Sequence, residues 1–283
     1  MSCGSDIARL RYDITLENAE KFLAGSKELG PSFTPIGVVQ GWSPYSMGES
    51  AQTLIKMGYK FIAIGGMVPL KVPMIHSCLQ TIRERIGTSD DIGFHLLGFA
   101  KADKLDEFVK YDITSFDSSS PMIRAFKDDK HNYYSLTPDN AIEYYSAIRI
   151  PQSTKNVRLI NHVKSGHYDQ DRLIAMERRA LKAVRDYAAK NTDLDCVLEA
   201  VLEYSVPLIS NSQTSDEQLQ KKIAQKKEAY SKTLRDRPWE KCSCNICRDA
   251  GVETIIFRAS NRNKRRGMHN LAVFYSYLQT LNN

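Results

Sequence analysis

Along the first 120 positions, the apolar residues follow two alternating patterns. Short apolar runs at 35–40, 60–64, 92–98 and 113–116 read as buried strands. Between the first two, Ser46-Met47-Gly48-Glu49 has capping-box spacing and opens a helix carrying Ala51, Leu54, Ile55 and Met57. Between the second and third, Ile75, Leu79, Ile82 and Ile86 recur on one helical face, and a short helix over 103–110 precedes the fourth strand. Strands separated by helices in this way predict βαβ units around a parallel sheet. Each strand runs into Gly or a polar residue. Closed (β/α)8 barrels and open doubly wound sheets both bind ligands at that carboxyl end. A whole barrel takes about 250 residues, and only four units are visible here.

Beyond this region the pattern changes. Positions 127–152 are rich in Tyr (Tyr133, Tyr134, Tyr144, Tyr145) and read as irregular. Helical periodicity returns over 172–190, 194–204 and 217–234, the last after the capping box Thr214-Ser215-Asp216-Glu217. The Lys-rich face of that helix (Lys221, Lys222, Lys226, Lys227) reads as a solvated surface. A strand over 254–257 and a helix through Leu271, Phe274, Tyr275 and Leu278 complete the pattern. Three segments are expected: 1–126, 127–237 and 238–283.

Composition narrows the class. No apolar run reaches the ~18–20 residues of a membrane span, and the N-terminal MSCGSDIARLRYD lacks the apolar stretch of a secretory signal. Of the six cysteines, three fall within six residues, which argues for metal binding over a disulfide framework and for a cytoplasmic chain. Thirty-nine Lys and Arg against 33 Asp and Glu leave a net charge of +6. That excess permits a polyanionic partner without requiring one.

The strongest local chemistry is Cys242-Ser-Cys244-Asn-Ile-Cys247, with His269 22 residues further on. Three thiolates and an imidazole make a closed tetrahedral Cys3His site for Zn2+, which is structural because no position stays open for substrate. The intervening stretch carries Arg258, Arg262, Lys264, Arg265 and Arg266, five cations in nine residues. It reads as a basic loop for a phosphate backbone. At the predicted strand ends stand Gln40, Gly65-Gly66, Gly98 and Asp117. Asp117 follows an apolar strand, where a catalytic carboxylate would project, and its position equally suits a cap on the following turn. Gln40 offers a donor and an acceptor to a nucleobase edge, and paired glycines let backbone N–H groups approach a planar ligand.

Taken together, Gly37-Val38-Val39-Gln40-Gly41, Ile64-Gly65-Gly66-Met67, Leu96-Leu97-Gly98, Phe116-Asp117 and the cysteine–histidine tail resemble the tRNA-guanine transglycosylases, zinc-containing (β/α)8 enzymes. The stretches Val39-Gln40-Gly41-Trp42, Gly66-Met67-Val68-Pro69-Leu70, Asn132-Tyr133-Tyr134, Arg149-Ile150-Pro151 and Arg262–Gly267 look more like the branch that inserts 7-cyano-7-deazaguanine into DNA. The resemblance implies a pentosyltransferase in which Asp117 is the nucleophile at C1′. It implies that Gln40 reads the base edge, that Gly65, Gly66 and Met67 present backbone donors, and that Leu97 with Gly98 lies against the base face. The target base would be flipped out or presented single-stranded. The transfer-RNA enzyme (queuosine or archaeosine type) and a non-catalytic nucleic-acid-binding subunit are the alternative readings.

Family members carry further strands, with a second aspartate, before the Gln strand. By this count the chain holds the last four βα units of the barrel and a helical zinc-binding C-terminal subdomain. The expectation is an N-terminally truncated product, or a barrel completed by another polypeptide or a second copy.

Overall fold

The structure, a computed structural model, describes residues 2–87, 91–99, 102–211 and 213–281. The chain divides into two compact units, Met1–Ser120 and Pro121–Asn283.

The first unit is built on four parallel strands: β1 (Ile36–Val39), β2 (Phe61–Ile64), β3 (Gly93–Leu96) and β4 (Ser115–Phe116), ordered β1-β2-β3-β4. Their last residues are in register, Val39 opposite Ile64, Ile64 opposite Leu96, and Leu96 opposite Phe116. Helix α1 (Ser2–Ser26), which the apolar pattern does not announce, precedes β1. It is mostly exposed, and its anchors are buried Tyr12 and Ala19, whose carbonyl accepts from Tyr59 Oη at 2.7 Å. Helices α2 (Pro44–Met57) and α3 (Val72–Ile86) connect the strands, burying Leu54 and Ile75, Leu79 and Ile82 as expected. The cap of α2 lies three residues earlier than the sequence pattern indicates. Ser43 and Ser46 form the reciprocal box, and Pro44 takes the first helical position, where its missing N–H costs nothing. The expected short helix before β4 is a 3-10 helix over Ala102–Tyr111.

In the second unit, α4 (Ser120–Lys127) leads into an antiparallel hairpin, β5 (Tyr133–Leu136) with β6 (Ile142–Tyr145), where the sequence reads as irregular. Strand β7 (Ile148–Arg149) pairs in parallel with β8 (Ile256–Phe257). Between them run α5 (Val157–Lys164), α6 (Gln170–Ala188), α7 (Leu194–Ile209), α8 (Asp216–Asp236), α9 (Pro238–Lys241) and α10 (Asn245–Ala250). Helix α11 (Ser260–Leu281) follows β8. Asp169, Asp193 and Ser215 cap α6, α7 and α8 through side-chain oxygens. Two of the three segments expected from sequence share one core here: Tyr133, Leu173, Val201 and Tyr230 pack in the same cluster as Trp239, Cys247 and Ile255. Among the described residues, no helix is long and apolar enough to cross a membrane.

Candidate functional site

In the first unit, the in-register strand ends place four of the sequence-predicted residues in one layer. Gly65 N–H donates to the Val39 carbonyl (3.1 Å), Leu97 N–H to Ile64 (3.1 Å) and Asp117 N–H to Leu96 (3.3 Å). Gln40, Gly65, Leu97 and Asp117 thus each stand one residue past a paired strand end. Gln40 and Leu97 are exposed, whereas the Met67 side chain is buried, so Met67 can serve this layer only through its backbone. A Cβ on Gly65 would lie 4.0 Å from both Gln40 Cγ and Leu97 Cδ1. Glycine therefore keeps the space between those two side chains clear. Gly66 (φ +77°) and Gly98 (φ +64°) adopt the left-handed backbone that glycine tolerates.

Asp117 is held from the side. Its Oδ1 accepts from Gly98 N–H at 2.9 Å and meets His95 Nε2 at 3.2 Å, while His95 Nδ1 meets Ser115 Oγ at 2.9 Å. The turn into α4 is bridged instead by Ser118, whose hydroxyl accepts from Ser120 N–H at 3.3 Å. The Gly98 N–H is the largest influence holding the Asp117 carboxyl below the usual carboxylate range. Partial burial opposes it, and the hydrogen bond and charge of His95 reinforce it. The Asp117 side chain is 60% exposed and that of His95 20%, so the anion reaches solvent while its partner is half buried. His95 was not singled out from sequence. The available signal was a lone imidazole inside an apolar strand run.

In the second unit, the donor atoms of Cys242, Cys244, Cys247 and His269 all lie within 4.8 Å of one another. His269 Nδ1 lies 3.7, 3.3 and 3.3 Å from the sulfurs of Cys242, Cys244 and Cys247. In a tetrahedral zinc site with Zn–S ~2.3 Å and Zn–N ~2.0–2.1 Å, the S···N edge is about 3.6 Å. The donor set fits. His269 Nε2–H donates to the Tyr134 carbonyl at 2.8 Å and so leaves Nδ1 as the lone-pair nitrogen facing the sulfurs. Tyr133 stacks on the imidazole (centroids 4.0 Å apart) and its hydroxyl lies 3.2 Å from Cys247 Sγ. The Cys247 hydrogen bond, followed by that of His269, draws the Cys242 thiol well below its ordinary range against the opposing effect of burial.

The basic stretch is arranged differently from an exposed loop. From Ser260 onward it is the first part of α11, and three of its five cations are engaged internally. Arg258 pairs with Glu177, and Arg262 with Glu253 at 2.6 Å. Arg266 is fully buried, donating to the Ala125 carbonyl (2.6 Å), Asn263 Oδ1 (2.9 Å) and the Ile256 carbonyl (3.4 Å). Lys264 and Arg265 are exposed.

No protein-family model matches the chain. A DNA-guanine transglycosylase from Salmonella montevideo is 42% identical to it over 271 residues, 96% of this chain and 61% of that relative. The chain therefore spans about three fifths of the length of the curated relative it matches. Over an aligned stretch long enough to take in both the strand-end layer and the Cys3His cluster, the chain is thus similar to a DNA-guanine transglycosylase.

Proposed function

We propose that the chain exchanges guanine for a 7-deazaguanine, with 7-cyano-7-deazaguanine as the expected base, in DNA. The observation that carries this reading is the carboxylate of Asp117, ionised, exposed and anchored through one oxygen beside Gln40, Gly65 and Leu97. Gly98 and His95 hold Oδ1 and leave Oδ2 as the attacking oxygen. Oδ2 bonds to C1′ of the target nucleotide as the C1′–N9 bond breaks, and guanine departs taking up a proton. The incoming base then attacks the same C1′ through its ring nitrogen, loses that nitrogen's proton and releases Asp117. Two inversions retain configuration, and one hard substitution becomes two easier ones. Gln40 reads the base edge, the backbone at Gly65, Gly66 and Met67 supplies donors, and Leu97 with Gly98 covers the base face.

The sequential order of four parallel strands supports reading the first unit as an arc of a (β/α)8 barrel, since an open doubly wound sheet reverses order at its switch point. The ligand set supports zinc as the metal at Cys242, Cys244, Cys247 and His269. When bound, it cross-links the chain and supplies no reaction chemistry. Among the described residues, β1 and β4 are each paired on one side only. The cost of unpaired edges supports further strands pairing there, from a longer form of this chain, a second polypeptide or a second copy. Light scattering on the chain expressed by itself should then return a mass above 32.1 kDa, and a monodisperse monomer would count against the partner.

The test of the reaction is exchange of labelled base into DNA, with transfer RNA as the comparison substrate. The chain should label DNA, and denaturing gels should show a protein–DNA adduct that Asp117→Asn lacks while still binding DNA. Labelling of transfer RNA only would replace the substrate, and exchange by Asp117→Asn would remove Asp117 from the mechanism.

A further inference from the structure

We propose that the large cleft of the second unit is where the sugar–phosphate backbone of the DNA substrate is gripped, an inference that rests on the DNA reading above. The cleft holds about 1150 Å³ and lies among the 129–131 turn, the β6–β7 segment, the start of α5, the end of α7 and one face of α8. Seven Lys and Arg line it against two acids, a surplus of five. The whole chain, with 39 cations and 33 acids, has a surplus of only six. Positive charge is therefore concentrated here rather than spread, the pattern that recognises a polyanion.

Four of the cations, Lys130, Lys155, Lys222 and Lys226, have no carboxylate within ion-pair distance among the described residues, and Lys226 rests its ammonium 5.5 Å over the Tyr230 ring. Arg149 and Lys232 carry single acidic partners, Asp129 and Glu143. Arg158 donates to the Leu208 and Ile209 carbonyls, and in the basic stretch Arg258, Arg262 and Arg266 are likewise spent on internal pairs and carbonyls. The aromatic lining decides what part of a nucleic acid fits. Tyr145 and Tyr230 are buried, and half-buried Tyr144 is met edge-on by the exposed His131 ring (centroids 5.3 Å apart), so the cations outnumber the rings open to a base. A lining dominated by ammonium and guanidinium groups suits phosphate contacts. The Lys-rich face of α8 is thus two surfaces. Lys222 and Lys226 line the cleft, while Lys221 and Lys227 do not.

That split provides the test. The double variants Lys222→Glu/Lys226→Glu and Lys221→Glu/Lys227→Glu change net charge equally on one helix. Fluorescence anisotropy with a labelled DNA duplex, across a salt series, should show at least a tenfold loss for the cleft pair. Its slope of log K against log salt should fall by about two, at ~0.9 per phosphate contact. The outer pair should stay within about twofold of wild type. Lys155→Glu, from a different segment, should weaken binding in the same direction and guards against a folding defect in α8. Equal losses for both pairs, or wild-type binding by the cleft pair, would overturn the site. DNA binding through the cleft without base exchange would remove the proposed reaction and leave the site standing. Base exchange with an unaltered cleft-pair affinity would do the reverse.

Discussion

At the scale of single residues, the proposed chemistry turns on how Asp117 is kept charged and pointed. Gly98 supplies a backbone donor that mutation cannot easily remove, whereas His95 is a side chain and can be tested. A carboxyl whose folded pKa is depressed keeps its charge, and the stability that charge brings, above its ordinary pKa. Both are lost as pH falls through the lowered value. Deleting His95 removes one of the influences that lower Asp117, so the carboxyl rises toward its ordinary range. In His95→Ala, the acid limb of the exchange rate should move to higher pH, and the rate at neutral pH should fall by about tenfold because the carboxylate loses one of the two groups that hold Oδ1 in place. His95→Asn, which keeps a donor near Oδ1, should recover part of both. An unchanged pH profile in His95→Ala would reduce the imidazole to packing. Asp117 is too exposed for its shift to be read as folding energy.

At the scale of elements, Arg266 shows what a run of charge conceals. Its guanidinium ties the start of α11 to the end of α4 through the Ala125 carbonyl and to β8 through Ile256, and it lies 4.7 Å over the Phe257 ring. Arg266→Leu strips donors from buried carbonyls and should cost about 3 kcal/mol, read as a lower urea midpoint. Lys264→Ala and Arg265→Ala, at exposed positions, should each stay within about 0.5 kcal/mol. The engagement of Arg258 and Arg266 is hidden from local spacing because their partners Glu177 and Ala125 lie far away in sequence, and Arg262 meets Glu253 only through the fold of the intervening segment. Local patterns carried further elsewhere. The four strands and the faces of α2 and α3 are legible because short apolar runs and helical periodicity are local properties, and the register of the strand ends then brings Gln40, Gly65, Leu97 and Asp117 together. The β5–β6 hairpin is not legible, since adjacent Tyr133 and Tyr134 are both fully buried and erase the alternation of a one-faced strand. Helix α1 escapes notice for the opposite reason: Ile7, Leu10, Ile14 and Phe22 are all exposed, so no buried stripe marks it.

At the scale of the whole molecule, the two units should answer differently to loss of the metal. The sequence places the Cys3His knuckle in an appendage of its own, 238–283, with zinc tying only that segment together. In the structure, Cys247 belongs to the same core as Leu173, Val184, Val201 and Tyr230, and partly buried Cys242 and Cys244 pack against it. The far ligand, His269, reaches back to the β5 backbone at Tyr134 and stacks on Tyr133. A structural zinc contributes roughly 10–16 kcal/mol of binding energy, and a domain's net stability is only about 5–15 kcal/mol. Stripping the metal therefore removes as much as the second unit has to lose, and its helices α6–α8 should open together with α9–α11. The first unit, whose parallel sheet includes none of these ligands, should keep its protection. Hydrogen exchange before and after a strong chelator, read along the chain, separates the outcomes. Protection lost from α5 through α11 and retained across β1–β4 is expected. Loss confined to α9–α11 would show that the metal holds only a local knuckle, and unchanged protection everywhere would remove zinc as a structural element of this fold.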